Sequence, residues 1–240
     1  MMRLDKYLAD MGAGTRQEVK KYIRQGRVTV DGKILKKPEF KIAEGKQAVC
    51  VDGRELCYAA YEYYMLHKPA GTVSATEDER DQTVVELIGS RKRKDLFPVG
   101  RLDKDTEGLL LITNDGVLAH RLLSPKKHVD KCYYARVKGT VTEEDVRAFA
   151  AGVNIGTEEV EEWTRPARLE IQKSEEISEI LLTIQEGKYH QVKRMFQSVG
   201  KEVLYLRRES MGSLSLDHSL KPGEYRPLTD KELGELWKIC

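Results

Sequence analysis

The stretch GRLDKDTEGLLLITNDG, residues 100–116, joins a highly charged loop to a wholly apolar strand. Residues 109–112 have the length and composition of a buried strand. A stable core does not need an arginine and an aspartate two residues apart at the mouth of such a strand. A reaction centre can use them, because a carboxylate held beside a guanidinium stays ionised and can attack a substrate. Asp103 is therefore the first candidate for a reacting group, with Arg101 beside it.

A second charged cluster is EGKYHQVKRMF, residues 186–196. On a helix, His190, Lys193 and Arg194 share one face at spacings of three and four, whereas the Met-Phe pair that follows points to the core. Basic residues in a first helical turn oppose the helix dipole. That local cost indicates a function such as anion docking, although a solvated basic face is the simpler alternative.

A third segment, KCYYARV at residues 131–137, alternates like a strand, so its two tyrosines face opposite sides. One of them is expected in the core and the other near the surface. An inward tyrosine close to Asp103 could stack on a base or move a proton.

The order of elements predicts an α+β fold. Two short helices and a small sheet come first, with Thr15 and Glu18 as a capping box and Asp-Gly turns at 31–32 and 52–53. Strands and helices then follow without strict β-α-β alternation, which favours a mixed, mainly antiparallel sheet flanked by helices. We expect a domain at residues 1–58, a linker at 59–62 and a larger domain at 63–240. Strands are expected at 63–66, 96–99, 109–113, 133–137, 167–171, 177–184 and 203–206, and helices at 116–123, 143–151, 190–199 and from 229.

The net charge of +2 is unevenly distributed. Residues 1–58 carry 13 Lys and Arg against 8 Asp and Glu, whereas the remainder carries 28 against 31. A basic module ahead of a mildly acidic one indicates a polyanionic partner, although a solvated helix face is the alternative. The basic residues of the second helix and its end are the candidates for contact with such a polyanion, namely Arg16, Lys20, Lys21, Arg24 and Arg27.

The sequence lacks the motifs that mark several classes of enzyme. The sequence has no phosphate loop, no GxGxxG, no HExxH and no GxSxG, so neither ATP nor a dinucleotide is expected. The four cysteines form no CxxC pair and no zinc spacing. Basic residues interrupt Asp103, Asp105 and Glu107, which argues against a metal site. No run approaches a membrane span and the N-terminus does not have the pattern of a signal peptide, so a cytoplasmic location is expected.

Taken together, these segments resemble the pseudouridine synthases of the RsuA branch. The run GRLDKDTEGLLLITNDG resembles that family's catalytic motif, MLHKPAG its Lys-Pro-Gly strand end, KCYYARV its Lys-x-Tyr strand and EGKYHQVKRMF its basic helix. The ending PGEYRPLTDKEL is also similar. The start, RLDKYLADMG with RVTVDGK, resembles the alpha-L RNA-binding domain that precedes the catalytic domain in this branch. The resemblance covers nearly the whole chain in the family's order.

The resemblance implies isomerisation of a uridine to pseudouridine in ribosomal RNA, without cofactor or metal. It places the catalytic aspartate at Asp103 and the active-site tyrosine at Tyr133. The basic partner falls on Lys193, where many relatives have arginine, with Arg194 as the alternative. Arg101 would fill the base stack or grip phosphate when the target base leaves. RNA-binding roles extend to Lys68, His190 and Arg194.

Within this reading, the small-subunit rRNA or its assembly intermediate is the expected partner of a monomeric enzyme, and 23S rRNA is the alternative. Two rival functions stay open. A non-catalytic RNA-binding or ribosome-assembly protein would explain the basic module, but not the joint occurrence of Asp103, Tyr133 and Lys193. A metal-dependent nuclease would use Asp103, Asp105 and Glu107, and its activity would be lost when a chelator removes the metal.

Overall fold

The computed structural model describes residues 1–43, 45–56, 60–157 and 159–239. The chain divides into two compact units. The first comprises residues 1–62, 88–97 and 113–115, and the second comprises 63–87, 98–112 and 116–240. In the part of the chain that is described, no helix has both the length and the hydropathy needed to cross a membrane. Most of the predicted 59–62 linker can be followed, but residues 57–59 lie outside the described residues.

The first unit contains two helices and two small sheets. Its elements are β1 (Met2–Arg3), α1 (Leu4–Asp10), α2 (Arg16–Arg24), β2 (Val28–Val30), β3 (Lys33–Ile34), β4 (Lys41–Ile42), β5 (Val49–Val51) and β6 (Arg54–Glu55). Strands β3, β2, β5 and β6 form one antiparallel sheet in that order, and β1 pairs with β4. The core consists of apolar side chains from both helices and from β2, β4 and β5.

Local sequence signals account for this unit. Thr15 and Glu18 form the predicted capping box, with the Glu18 amide donating to Thr15 Oγ1 at 3.3 Å and the Thr15 amide donating to Glu18 Oε2 at 2.7 Å. Asp31 and Asp52 adopt positive φ angles of 50° before glycines that also have positive φ. Two consecutive left-handed residues are the requirement of the tight hairpin turn that the Asp-Gly pairs predict.

The second unit contains the larger sheet. Its elements are β7 (Tyr63–Lys68), β8 (Phe97–Pro98), β9 (Glu107–Thr113), α3 (Gly116–Leu123), β10 (Lys131–Lys138), α4 (Glu143–Ala151), β11 (Arg168–Lys173), β12 (Ile177–Ile184), α5 (Gln191–Ser198), β13 (Glu202–Met211), β14 (Leu214–Ser215), β15 (Tyr225–Pro227) and α6 (Asp230–Ile239). The main path is β11-β12-β10-β13-β9-β7-β15, with β8 beside β9 and β14 beside β13.

The pairing in this sheet confirms the α+β prediction with a mixed, mainly antiparallel sheet. β13 pairs in parallel with β9, whereas β10 pairs antiparallel with both β12 and β13. The sequence underestimated β13, which runs for ten residues instead of four. Helix α5 packs on β13, and its fully buried Phe196 meets Phe149 of α4 at a ring-centroid distance of 5.0 Å.

Gly108 determines how closely β9 approaches β13. It pairs with Arg208 and has a φ of 103°. A Cβ atom at this position would lie 2.3 Å from the Arg208 carbonyl oxygen, well inside van der Waals contact. Only glycine therefore permits this parallel pair. Because β9 begins directly after the charged loop, the pair also fixes where that loop leaves the sheet.

Candidate active site

The loop that carries Asp103 is held by the chain segment that follows β7. Ser74 Oγ donates to the Leu102 carbonyl at 2.8 Å and accepts from the Leu102 amide at 3.1 Å. The Gly71 amide donates to the Lys104 carbonyl at 2.7 Å, and the Thr106 amide closes a turn onto the Asp103 carbonyl at 3.1 Å. The backbone on both sides of Asp103 is therefore fixed before any substrate arrives.

Lys68 provides a further anchor of this loop, which corrects its predicted role in RNA binding. The side chain is fully buried. Its ammonium donates to the carbonyls of Pro69 at 3.0 Å, Lys104 at 3.3 Å and Thr106 at 2.9 Å. All three protons are thus used within the protein, and none can reach a phosphate. Burial lowers the pKa of Lys68 to about 8.

Asp103 is held between two basic side chains from the start of α5. Lys193 Nζ lies 3.1 Å from Asp103 Oδ2, and His190 Nε2 lies 3.6 Å from Asp103 Oδ1. Lys193 also donates to both carboxylate oxygens of Asp105, at 2.7 and 2.9 Å. The Asp103 side chain remains 27% exposed, so a substrate can reach it.

The ion pairs shift the pKa values of two of these groups. The hydrogen bond from Lys193 lowers the pKa of Asp105 below its ordinary value. Burial lowers the pKa of Lys193, but the hydrogen bonds to Asp105 and Asp103 outweigh that effect, so its pKa lies above its ordinary value. The lysine is therefore a permanent positive charge at neutral pH. Of the two predicted partners, Lys193 and Arg194, it is Lys193 that lies beside Asp103.

Arg194 turns away from Asp103. Its guanidinium donates to Glu162 Oε2 at 2.6 Å, to the Tyr189 carbonyl at 3.0 Å and to the Ile155 carbonyl. With these contacts Arg194 ties the start of α5 to the chain around residues 155–162. The structure thus shows an anchoring role for this residue, which sequence reasoning had placed among the RNA-binding candidates.

The start of α5 is further fixed by Gln191, a residue that sequence reasoning missed. Its side chain is 4% exposed. Oε1 accepts from the Lys188 amide at 2.9 Å, and Nε2 donates to Glu186 Oε1 at 2.9 Å. The sequence contains no signal for this bond, because Gln191 is the first residue of α5 and a capping box needs Ser or Thr at the N-cap with Glu or Gln three residues later. The clamp positions His190 and Lys193, which flank it.

Tyr133 faces the same cavity as Asp103. It is buried in β10, whereas its neighbour Tyr134 lies on the opposite face and donates to Glu179 Oε2 at 2.7 Å. Burial raises the pKa of Tyr134. The alternation of the two tyrosines confirms the predicted strand pattern and identifies Tyr133 as the inward ring.

Two adjoining depressions meet at Asp103. The first has a volume of about 80 Å³ and contains Tyr133, together with Arg101, Leu102, Thr106, Ile184, Gly187, Lys188, Gln191, Val192 and Leu206. The second, of about 480 Å³, is lined by Ala70, Gly71, Lys104 and Asp105. Asp103, His190 and Lys193 line both. The Asp103 carboxylate therefore lies where the first depression, the inner cavity, opens into the second, a wider groove. Arg101 is exposed and lines the inner cavity.

The other acidic residues of the loop have protein partners. Asp105 is paired with Lys193, and Glu107 accepts a hydrogen bond from Tyr205 Oη at 2.7 Å. Burial and this hydrogen bond raise the pKa of Tyr205 to about 12. Among the described residues, no three or more His, Cys, Asp or Glu side chains are placed to hold a metal ion.

The first unit presents the basic face that the sequence predicts on α2. Arg16, Lys21 and Arg24 are exposed, and Lys20 is half-buried. Arg27 is also exposed, but it forms an ion pair with Asp52 and lies over the Tyr22 ring at 4.2 Å. Its charge is therefore partly neutralised, which leaves the three exposed residues of α2 as the stronger candidates for a polyanion.

Comparison with known proteins is consistent with this geometry. The family model described as RNA pseudouridylate synthase matches residues 62–198, and the S4 domain model matches residues 2–48. An uncharacterized RNA pseudouridine synthase of Bacillus subtilis is 51% identical over 97% of both chains. Proteins named ribosomal small subunit pseudouridine synthase A are similar over their full length, at 43% identity in Vibrio cholerae (99% of this chain) and 41% in Escherichia coli K12 (98%). A crystal structure of a pseudouridylate synthase superposes with a TM-score of 0.68 at 38% identity, covering 98% of this chain and all of the other.

Proposed function

The chain belongs to the RNA pseudouridylate synthase family, and from that membership we propose that it converts one uridine of small-subunit ribosomal RNA to pseudouridine, with Asp103 as the reacting carboxylate. The observation that carries the assignment of Asp103 is its position. It lies 3.1 Å from Lys193, at the junction of two depressions and beside the cavity that contains Tyr133.

The choice of RNA rests on the relatives. Proteins named for the small ribosomal subunit match this chain over its whole length at 41–45% identity. A match that includes both the S4 domain and the catalytic domain supports a shared substrate more strongly than a match to the catalytic domain alone, because RNA choice depends on surfaces outside the reacting centre.

The reaction is an isomerisation that needs no added reactant. The bond between N1 of uracil and the sugar carbon C1′ breaks, and C5 of the same uracil then bonds to C1′. The proton on C5 is lost and N1 gains one, so the overall composition is unchanged. Asp103 supplies the nucleophilic carboxylate, which attacks either the sugar or the base ring. Lys193 keeps a positive charge 3.1 Å from this carboxylate.

Tyr133 and Arg101 have supporting roles in this proposal. The Tyr133 ring packs on the uracil in the inner cavity and assists the loss of the C5 proton. The target uridine must first leave its stack to reach the cavity. Arg101, exposed at the cavity, fills the vacated position or grips a neighbouring phosphate. His190 binds the substrate beside Asp103.

The first unit provides affinity for the RNA backbone. The exposed Arg16, Lys21 and Arg24 of α2 can each neutralise a phosphate, as can the half-buried Lys20 and the partly paired Arg27. Such contacts contribute affinity and orient the RNA, although they read no base sequence directly.

Mapping pseudouridine in ribosomal RNA from a strain that lacks this gene tests the proposal. We expect one pseudouridine of the small-subunit RNA to disappear and to return when the gene is restored. Loss of a site in the large-subunit RNA instead would overturn the choice of RNA. An unchanged map in both RNAs would overturn the proposed function.

A further inference from the structure

An exposed aromatic ring stands directly outside the candidate active site. Tyr189 precedes α5 and has 76% of its surface exposed, the largest exposed fraction of any tyrosine among the described residues. Its ring stacks on the imidazole of His190 with a centroid distance of 3.8 Å and an interplanar angle of 20°. Because His190 Nε2 is 3.6 Å from Asp103 Oδ1, the stack runs outward from the candidate reacting group.

The backbone holds this ring in place at a conformational cost. His190 has a φ of 47°, in the left-handed region that is unfavourable for residues with a Cβ atom. The Tyr189 carbonyl accepts a hydrogen bond from Arg194 at 3.0 Å. The Gln191 side chain accepts another from the Lys188 amide at 2.9 Å, which fixes the turn that contains Tyr189. Strain of this kind persists where surrounding contacts impose it, and it is concentrated at binding and catalytic sites.

The chain next to Tyr189 provides a second exposed aromatic residue and a lysine, Lys188, whose Nζ lies 3.5 Å from Glu162 Oε1. Trp163, a second exposed aromatic, is 58% exposed, and its carbonyl accepts a hydrogen bond from Lys188 Nζ at 2.7 Å. Lys188 also lines the inner cavity. Aromatic faces next to basic side chains are the usual arrangement for stacking unpaired bases while the backbone is neutralised.

We propose that Tyr189, backed by His190, is a stacking platform for an unpaired base that neighbours the target uridine. The inference rests on the proposed function, since it needs an RNA whose uridine enters the inner cavity. When that uridine leaves its helix, the adjacent base loses a stacking partner. The exposed face of Tyr189 replaces that partner and so holds the RNA in the opened form. The ligand of this subsite is a nucleobase, and the subsite acts on substrate binding and not on bond cleavage.

The test compares three proteins on a synthetic RNA hairpin that carries the mapped uridine. Tyr189→Leu removes the aromatic ring but keeps an apolar side chain, Tyr189→Phe keeps the ring, and Tyr61→Leu makes the same change at a tyrosine that is 54% exposed in the other unit. Loss of one base stack corresponds to a rise in KM of about 5- to 140-fold. We expect that rise in Tyr189→Leu with little change in kcat, recovery in Tyr189→Phe, and no change in Tyr61→Leu.

A second measurement locates the base. Each nucleotide that flanks the uridine is replaced in turn by an abasic residue, and KM is measured for the wild-type enzyme and for Tyr189→Leu. At the contacted position the two changes should not add, because both remove the same stack. Additive effects at every flanking position, or a Tyr189→Leu variant with unchanged KM, would overturn the inference alone. A wild-type enzyme that forms no pseudouridine would overturn the proposed function and the inference with it.

Discussion

Replacing Lys193 by methionine should impair catalysis by removing the charge beside Asp103. The side chains have similar length, so the packing at the start of α5 is largely kept. Two carboxylates, Asp103 at 3.1 Å and Asp105 at 2.7 Å, then lose their shared cation. A protein in which another cation serves Asp103 would tolerate this change.

The size of the effect follows from the distance and the exposure. For unit charges 3.1 Å apart, Coulomb's law gives about 1.3 kcal/mol at a dielectric constant of about 80 and about 5 kcal/mol at about 20. Both side chains are 27% exposed, which places the loss toward the lower value. A loss of about 2–3 kcal/mol in the transition state corresponds to a fall in kcat of roughly 30- to 160-fold.

The assay is tritium release from C5-labelled uridine in small-subunit RNA, with kcat and KM measured separately. Lys193→Arg should recover part of the rate because it restores the charge. The control is Lys201→Met, which breaks another Lys–Asp pair, with Asp145 at 2.8 Å, outside the cavity lining. An NMR titration should also show the pKa of Asp105 rising when Lys193 is replaced, since Lys193 now lowers it. A Lys193→Met enzyme with wild-type kcat would refute the reasoning.

Three further changes test the fold and the RNA surface. The folded-state pKa of Lys68, about 8, lies below its ordinary 10.5, so the unfolded chain binds that proton more tightly. The difference in unfolding free energy between the wild type and Lys68→Met, measured in urea, should therefore increase between pH 8 and 10.5. The increase should be at most about 1.4 kcal/mol per pH unit. A difference that does not change with pH would contradict the lowered pKa of Lys68. Gly108→Ala should lower the unfolding free energy by about 3–5 kcal/mol, because the new Cβ would collide with the Arg208 carbonyl. The control is Gly234→Ala in α6, which has open space around it and should be neutral or slightly stabilising. Equal melting temperatures for these two variants would be evidence against the steric argument. Replacing Arg16, Lys21 and Arg24 together by alanine should reduce the slope of log K against log salt for RNA binding by roughly 2 to 3, and an unchanged slope would exclude the α2 face from RNA contact. The exposed, acid-paired Arg168 and Lys173 provide the control substitutions.

Local sequence signals were sufficient for the elements that depend on neighbouring residues alone. The capping box at Thr15, the two Asp-Gly turns and the alternation around Tyr133 each depend on residues adjacent in sequence, and each is found as predicted. The predicted boundaries of α3 and α4 agree with the structure for the same reason. Strand β13 was underestimated because a run of charged residues, 207–209, hides a strand whose pairing is supplied by β9 and β10.

The sequence predicted that Lys193 would lie beside Asp103, as it does, but it did not predict the residues that support this pair. Asp103 and Lys193 belong to motifs that a single sequence displays. Lys68 looked like a free basic residue, because its three acceptors are backbone carbonyls that converge only in the folded chain. The predicted domains, 1–58 and 63–240, are continuous in sequence, whereas the first unit of the structure also contains residues 88–97. Within that unit, Arg93 pairs with Asp10 and Asp95.

The most direct test of the central claim is pseudouridine formation by Asp103→Asn, measured together with RNA affinity. The amide keeps the size of the side chain but lacks the nucleophilic carboxylate, so turnover should be lost while the Kd for RNA stays within about twofold of the wild type. Asp105→Asn is the matched control, since Asp105 shares the contact with Lys193 but is 72% exposed, and it should keep measurable turnover. Turnover by Asp103→Asn at a rate near that of the wild type would contradict the assignment of Asp103 as the reacting group.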